Sequence, residues 1–181
     1  MISNRRFVML AGLSALAACS RQDSKFRTYR GPEVTRIIVN KGEREMFLLH
    51  HDRPLKRYRV DLGFAPQGHK QFEGDGRTPE GEYHIDRRNP NSAFHLSLGI
   101  SYPNEADIAY AKAHGRSPGG DIFIHGEPNA LAMFSPDWTA GCISVKNREM
   151  SMPWSATGRR SRSMRDQPPR IIVHQILPPG S

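Results

Sequence analysis

Between Val34 and Leu62 the chain alternates short apolar or amphipathic runs with turn residues, at intervals too short for helices. Val34 to Asn40 (VTRIIVN) is rich in β-branched residues, Lys41-Gly42 is a turn signal, and Arg44 to Leu49 (REMFLL) supplies a return strand. Together they predict a hairpin. His51-Asp52-Arg53-Pro54 predicts a second turn, and the alternating Lys56 to Leu62 (KRYRVDL) a third strand. A meander of short strands predicts a sheet built from hairpins rather than the βαβ units of a Rossmann-type fold.

The rest of the chain continues in the same style. Gly63 to Pro79 is a loop rich in Gly, Pro and charge. Gly81 to Asp86 is a short strand, Asn89-Pro90-Asn91 a turn, and Phe94 to Ile100 (FHLSLGI) another strand. Glu105 to His114 carries Ile108, Ala111 and Ala113 and stops at Gly115, which predicts a short helix with a glycine after its C-terminus. Asp121 to His125 (DIFIH) predicts a buried strand ending at the histidine. Ile143 to Val145 is a strand stub, and Arg170 to Ile176 (RIIVHQI) the last strand. No internal repeat is visible.

The N-terminus has a different character. Arg5-Arg6 precedes Phe7 to Ala18, twelve residues without charge, which are too few to span a bilayer. They fit the apolar stretch of a secretory signal. Leu16-Ala17-Ala18-Cys19 resembles a bacterial lipobox, which implies cleavage before Cys19 and a diacylglycerol on its sulfur; Arg5-Arg6 also loosely resembles a twin-arginine export signal. The expected organisation is a signal peptide over 1–18, a lipidated Cys19 with a polar tether over 19–32, and one folded domain over 33–178. The expected location is the periplasmic face of a bacterial membrane, held by the lipid. Of the two cysteines this leaves Cys142 as the one free thiol, in a compartment where an unused thiol is a liability.

Charge excludes some partners. The chain carries 26 Lys+Arg against 18 Asp+Glu, a net +8. Arg159, Arg160, Arg162, Arg165 and Arg170 lie in or beside a Ser/Gly/Pro-containing segment, which predicts a solvated basic loop. No basic helix or aromatic stacking motif supports nucleic-acid binding. No histidine pair shows a ligand spacing such as H-E-x-x-H, so no metal is expected.

The window Asp121 to Asn147 (DIFIHGEPNALAMFSPDWTAGCISVKN) holds the residues suited to chemistry. His125 ends an apolar strand and is followed by Gly126. Cys142 follows Gly141, and an apolar run resumes. Two strands joined by an excursion would carry an imidazole at one lip and a thiol at the other. A free thiol has a pKa of about 8.5, and a neighbouring imidazole raises the thiolate fraction near neutrality. Glycine beside the cysteine lets backbone N–H groups approach a developing oxyanion.

The fuller pattern resembles the active-site motif of the YkuD-type L,D-transpeptidases, cell-wall enzymes with a His-Gly, a loop, and then Ser/Thr-His-Gly-Cys leading to a later Asn. His125-Gly126 matches the first element; Thr139, Gly141, Cys142 and Asn147 match the second. Gly76 to Tyr83 (GRTPEGEY) resembles the family's Thr-Pro-Glu-Gly-aromatic element, and Asn91 to Pro103 resembles the YafK-like subgroup of murein transpeptidases. The resemblance implies a mostly β, mixed-sheet catalytic domain, sandwich- or barrel-like, with one or two short helices. It implies Cys142 as nucleophile, His125 as its proton acceptor oriented by the Gly126 carbonyl, and an oxyanion hole from the Gly141 and Cys142 N–H groups. The implied donor is a peptidoglycan tetrapeptide stem. It would be attacked at its third residue with release of D-Ala, and the acyl group passed to an amine in cell-wall remodelling.

The chain departs from the pattern in two places. The histidine common before Gly-Cys is Ala140, and the arginine often found two residues after the cysteine is Ser144. Carboxylate recognition then falls to other cations, and Arg77 and Lys146 are the sequence-based candidates. Trp138 is expected to wall the cleft, with Thr139 and Asn147 beside the substrate. Pro153 is expected to interrupt the helix that follows Asn147. The departures keep two alternatives open: a hydrolase of a stem-peptide or murein–protein amide bond, and a lipid-tethered wall-binding protein whose site has decayed.

Overall fold

The structure is a computed structural model, and it describes residues 25–127, 135–157 and 168–175. Eight strands form one sheet. In chain order they are β1 (Arg36–Asn40), β2 (Glu45–His50), β3 (Arg53–Arg59), β4 (Gly81–Asn89), β5 (Ser97–Ile100), β6 (Phe123–His125), β7 (Ile143–Ser144) and β8 (Arg170–His174). Across the sheet they run β3-β2-β1-β8-β4-β5-β6-β7. The β1–β2 and β2–β3 pairs are antiparallel, as the meander predicts. β8 inserts parallel to β1 and antiparallel to β4, and β6 and β7 run parallel. The sheet is therefore mixed.

It is also curled. Residues following β3 cross to the far edge, where Asp61 exchanges two backbone hydrogen bonds with Ser144 (3.0 and 2.8 Å) and Gly63 bridges Thr139. The two edges are stitched together, so the barrel-like expectation holds as one curled sheet rather than two stacked ones. Val34, Leu62, Leu98, Ile100, Ile124, Ile143 and Ile171 are fully buried inside the curl. Burying each such side chain contributes roughly 1.5–3 kcal/mol.

Three boundaries differ from the sequence reading, each for a physical reason. β3 begins at Arg53 and contains Pro54, which an edge strand tolerates because its outer N–H groups need no partner. β5 begins at Ser97 rather than Phe94, because His95 adopts φ 69° and bends the chain. That bend points the carbonyls of Phe94 and Leu96 at the Gly126 N–H (3.0 and 3.3 Å). The third difference is a helix that runs through its proline.

The first helix, α1 (Glu105–Ala113), follows the prediction. Asn104 caps it through a reciprocal pair, its Oδ1 accepting from the Asp107 N–H at 3.0 Å and its own N–H donating to Asp107 Oδ2 at 2.9 Å. The second, α2 (Asn147–Ala156), contains Pro153 without breaking. A proline inside a helix costs about 3 kcal/mol. Here Met150, Trp154 and Ala156 are buried on the core side, and the Arg88 guanidinium lies 4.2 Å from the Trp154 ring centre and donates to the Trp154 carbonyl. The helix closes beyond the proline through Thr157, whose N–H and hydroxyl both donate to the Pro153 carbonyl (3.0 and 2.6 Å).

Part of the stretch read as tether packs on the domain. Lys25 donates to the carbonyls of Pro90 and His95, Phe26 approaches the Trp154 ring at 6.3 Å between centres, and Ser155 Oγ donates to the Arg27 carbonyl. The signal segment, Cys19 and the arginines from 159 to 165 lie outside the described residues.

Candidate active site

His125 is the last residue of β6, and Ser144 lies beside it in the parallel register with β7. Cys142 stands immediately before β7. The parallel register sets Cys142 level with Phe123, two residues before His125, so the cysteine and the histidine share one face of neighbouring strands although 17 positions separate them in sequence. Both side chains line an open cleft of about 320 Å³, walled also by Asn89, Phe94, Asp121 and Phe123.

The imidazole is fixed on every side. Its Nδ1 lies 2.6 Å from the Gly126 carbonyl oxygen. A carbonyl only accepts, so Nδ1 carries the proton and Nε2 is left as the basic nitrogen. Phe94 stacks on the ring at 4.6 Å between centres, and Trp138 meets it edge-on at 5.7 Å. His125 is 4% exposed, and this burial holds its pKa below the usual histidine value, partly offset by the bond to Gly126. Gly126 has no room for a side chain: a Cβ would collide with Asn147 Oδ1 and come within 2.9 Å of the Phe94 carbonyl. The same Asn147 oxygen accepts the Glu127 N–H at 2.9 Å.

The thiol rests against the start of β6. Cys142 Sγ donates to the Asp121 carbonyl at 3.6 Å and accepts from the Phe123 N–H at 3.4 Å. Burial pushes its pKa up; the Phe123 N–H and the charge of Lys70 oppose this, while Asp121 adds to it. Both shifts favour the neutral thiol and the neutral imidazole over the ion pair. The expected resting activation of the thiolate by the imidazole is not what this geometry provides, because the thiol proton points at a backbone oxygen.

Thr139 shapes the turn that carries the cysteine. Its Oγ1 donates to the Cys142 carbonyl at 2.7 Å and accepts from the Gly141 N–H at 3.1 Å, while its backbone bonds Leu62 and Phe64. The Gly141 N–H is therefore engaged by Thr139 in this structure, whereas the expected oxyanion hole needs it unpaired. Gly141 adopts φ 135°, and a Cβ there would sit 2.7 Å from the Arg77 carbonyl. Arg77 contributes that backbone support; its guanidinium extends towards Gly68. Neither Arg77 nor Lys146 lines the cleft, and Lys146 is exposed at the start of α2. Thr139 and Asn147 both hydrogen-bond backbone, and Trp138 meets the histidine ring edge-on.

Phe94 and Asp121 belong to the site although the sequence reading did not single them out. Asp121 carries a signal in hindsight: an acidic residue following Gly119-Gly120, held at φ 54°. A left-handed conformation at a non-glycine residue is uncommon and clusters at functional sites. Among the described residues, no cluster of three His, Cys, Asp or Glu side chains could hold a metal ion, and no helix is long and apolar enough to cross a membrane.

A histidine with Nδ1 committed to a carbonyl and a cysteine share one cleft on neighbouring parallel strands of a curled sheet, the arrangement that thiol-based catalysis requires. The family model of YkuD, the L,D-transpeptidase catalytic domain, matches residues 34–161, and the chain belongs to that family. The "Putative L,D-transpeptidase YafK" of Escherichia coli (strain K12) is 39% identical over 96 residues, 52% of this chain and 33% of that protein. The match thus spans a third of the length of the curated relative. Among solved structures, the helical cell shape determining protein Pgp2 from Campylobacter jejuni (K307A mutant) aligns with a TM-score of 0.58 at 23% identity, covering 81% of this chain and 49% of the other. Bd1075 of Bdellovibrio bacteriovorus aligns at 0.55 and 20% identity, covering 79% and 48%. At these identities the likeness concerns the fold. The mostly β, mixed-sheet expectation and the family resemblance both hold.

Proposed function

We propose that this protein is an exported cysteine acyltransferase that acts on the tetrapeptide stem of peptidoglycan. The observation that carries the reading is the His125 tautomer: Nδ1 is committed to the Gly126 carbonyl, so Nε2 is free in the cleft that Cys142 shares. The donor displaces the Asp121 contact of the thiol, and Nε2 takes the thiol proton. Sγ attacks the carbonyl carbon of the third stem residue, and the Cys142 N–H stabilises the oxyanion. As the C–N bond breaks, the imidazolium returns its proton to the departing D-Ala amine, which leaves a thioester. An acceptor amine then attacks, His125 removes its extra proton, and the thiolate leaves and is reprotonated. The chemistry needs no metal or organic cofactor. Lipidation at Cys19 holds the domain at a membrane surface facing the wall, and the acceptor is a second stem or a murein-linked protein.

The test is mass spectrometry of defined tetrapeptide muropeptides incubated with the mature chain, with Cys142→Ala as control. Dimers formed with loss of one D-Ala, absent from the control, are expected. Tripeptides alone would make water the acceptor and the protein a hydrolase. Unchanged muropeptides, with no mass added to Cys142 by a carbapenem, would overturn the catalytic reading in favour of wall binding.

A further inference from the structure

Position 144 is serine, and the two cations expected to compensate do not reach the cleft. A different arginine stands at its edge: Arg87 pairs with Asp121 and lies over the Phe123 ring, and those two residues line the cleft. Along β4 the register with β5 slips: Ile85 opposes Ile100, but Arg87 opposes Gly99, so Asp86 is the extra residue of a β-bulge. The slip reverses the alternation. Ile85 points into the core, whereas Arg87 and Asn89 fall on the cleft face, opposite Gly99 and Ser97. Those two residues in turn oppose Phe123 and His125 on β6. Arg87 therefore lies one pleat from the row that holds the histidine.

Its guanidinium sits 4.7 Å from the Phe123 ring centre, with Nη1 2.9 Å from Asp86 Oδ2 and Nη2 2.9 Å from Asp121 Oδ1. Asp86 and Phe123 orient it. Asp121 is the residue whose backbone carbonyl accepts the thiol proton, and its carboxylate side chain is 88% exposed. A guanidinium and a carboxylate thus stand side by side, one residue's reach from Sγ. An ion pair this exposed contributes little to stability, so a ligand can replace its partners without large cost.

We infer that Arg87 and Asp121 form the specificity subsite for the donor's third residue, taking a zwitterionic amino-acid centre at the end of its side chain. Asp121 receives the ammonium and Arg87 the carboxylate. The inference rests on the proposed stem-peptide activity. It separates a diamino acid with a distal ammonium and carboxylate, such as diaminopimelate, from lysine, which offers the ammonium alone.

The test is calorimetric binding of two tetrapeptides, with diaminopimelate or lysine at position three, to the mature chain carrying Cys142→Ala. The diaminopimelate peptide is expected to bind about tenfold more tightly, the scale of one charge-assisted contact. Arg87→Ala should erase that ratio by weakening the diaminopimelate peptide, with an unchanged unfolding midpoint as the folding control. Asp121→Asn, tolerated in the left-handed conformation, should weaken both peptides by a similar factor. Equal affinities for the two peptides, no binding of either, or a ratio unchanged by Arg87→Ala would overturn the subsite. Release of D-Ala by the Cys142-bearing protein is scored separately, so failure of the stem-peptide activity is distinguished from failure of the subsite.

Discussion

The hydroxyl of Thr139 and the carbonyl of Cys142 lie 2.7 Å apart, and this bond sets the turn on which the thiol is presented. The same oxygen takes up the Gly141 N–H. Thr139→Val keeps the shape and removes both bonds in a buried place. It should cost about 1–3 kcal/mol of stability in urea unfolding and, if the turn survives, misplace the Cys142 N–H and lower kcat. Wild-type stability and kcat in this variant would show that the hydroxyl is dispensable.

Gly141 and Gly126 differ in what an added methyl would meet. At Gly141 the obstacle is the Arg77 backbone carbonyl, which has little freedom to move, and φ is 135°. Gly141→Ala should therefore destabilise by about 2 kcal/mol or more. At Gly126 the first obstacle is the Asn147 side chain. Gly126→Ala should lose less stability but more activity, because displacing Asn147 frees the loop that holds the imidazole. Differential scanning calorimetry with a parallel turnover assay separates the two effects.

Cys142 should react with iodoacetamide at pH 7 more slowly than a free cysteine, since burial raises its pKa. The rate should climb with pH to a midpoint above that of an unperturbed thiol. Alkylation faster than the free amino acid at neutral pH would contradict the neutral resting pair.

Two histidines make stability depend on pH. Burial lowers the folded-state pKa of both His125 and His95, the latter also through the charge of Lys25. The unfolded chain then binds more protons below the ordinary histidine value of about 6.5. Their contribution is fully present above about pH 6.5 and is lost as pH falls towards the depressed values. Unfolding midpoints measured between pH 7.5 and 5 should drop, and the drop should shrink when both residues are changed to glutamine.

Ser144 Oγ is buried and makes no hydrogen bond among the described residues. Ser144→Ala removes a desolvated polar atom and little volume, so it should leave stability unchanged or raise it by up to about 1 kcal/mol. A loss above 1 kcal/mol would reveal a partner for that hydroxyl.

Much of this was readable from local pattern. The hairpin of β1 and β2, the cap and stop of α1, and the strand ending at His125 follow from periodicity and turn residues within a few positions. What escaped was set by distant contacts. The bulge at Asp86 that sets Arg87 against Phe123 and Asp121 depends on pairing with β5. The bend at His95 depends on carbonyls meeting Gly126, and α2 survives Pro153 because its buried face is packed. Thr139 and Asn147 stood out in the motif, but the backbone bonds they make did not. A side chain that binds backbone and one that binds substrate look the same in a motif.

The sheet is completed by a strand from near residue 170, which slips between β1 and β4 and joins the hairpin half to the half carrying the thiol. Assembly therefore requires contacts between residues more than a hundred positions apart, a topology that slows folding. Synthesis proceeds from the other end. Until β8 has emerged, β1 and β4 lack the strand that joins them, and the halves meet through contacts such as Asp61–Ser144 and Gly63–Thr139. Chains cut before Pro168 should accordingly show no cooperative unfolding. The order of synthesis thus places completion of the sheet after both His125 and Cys142 have been made.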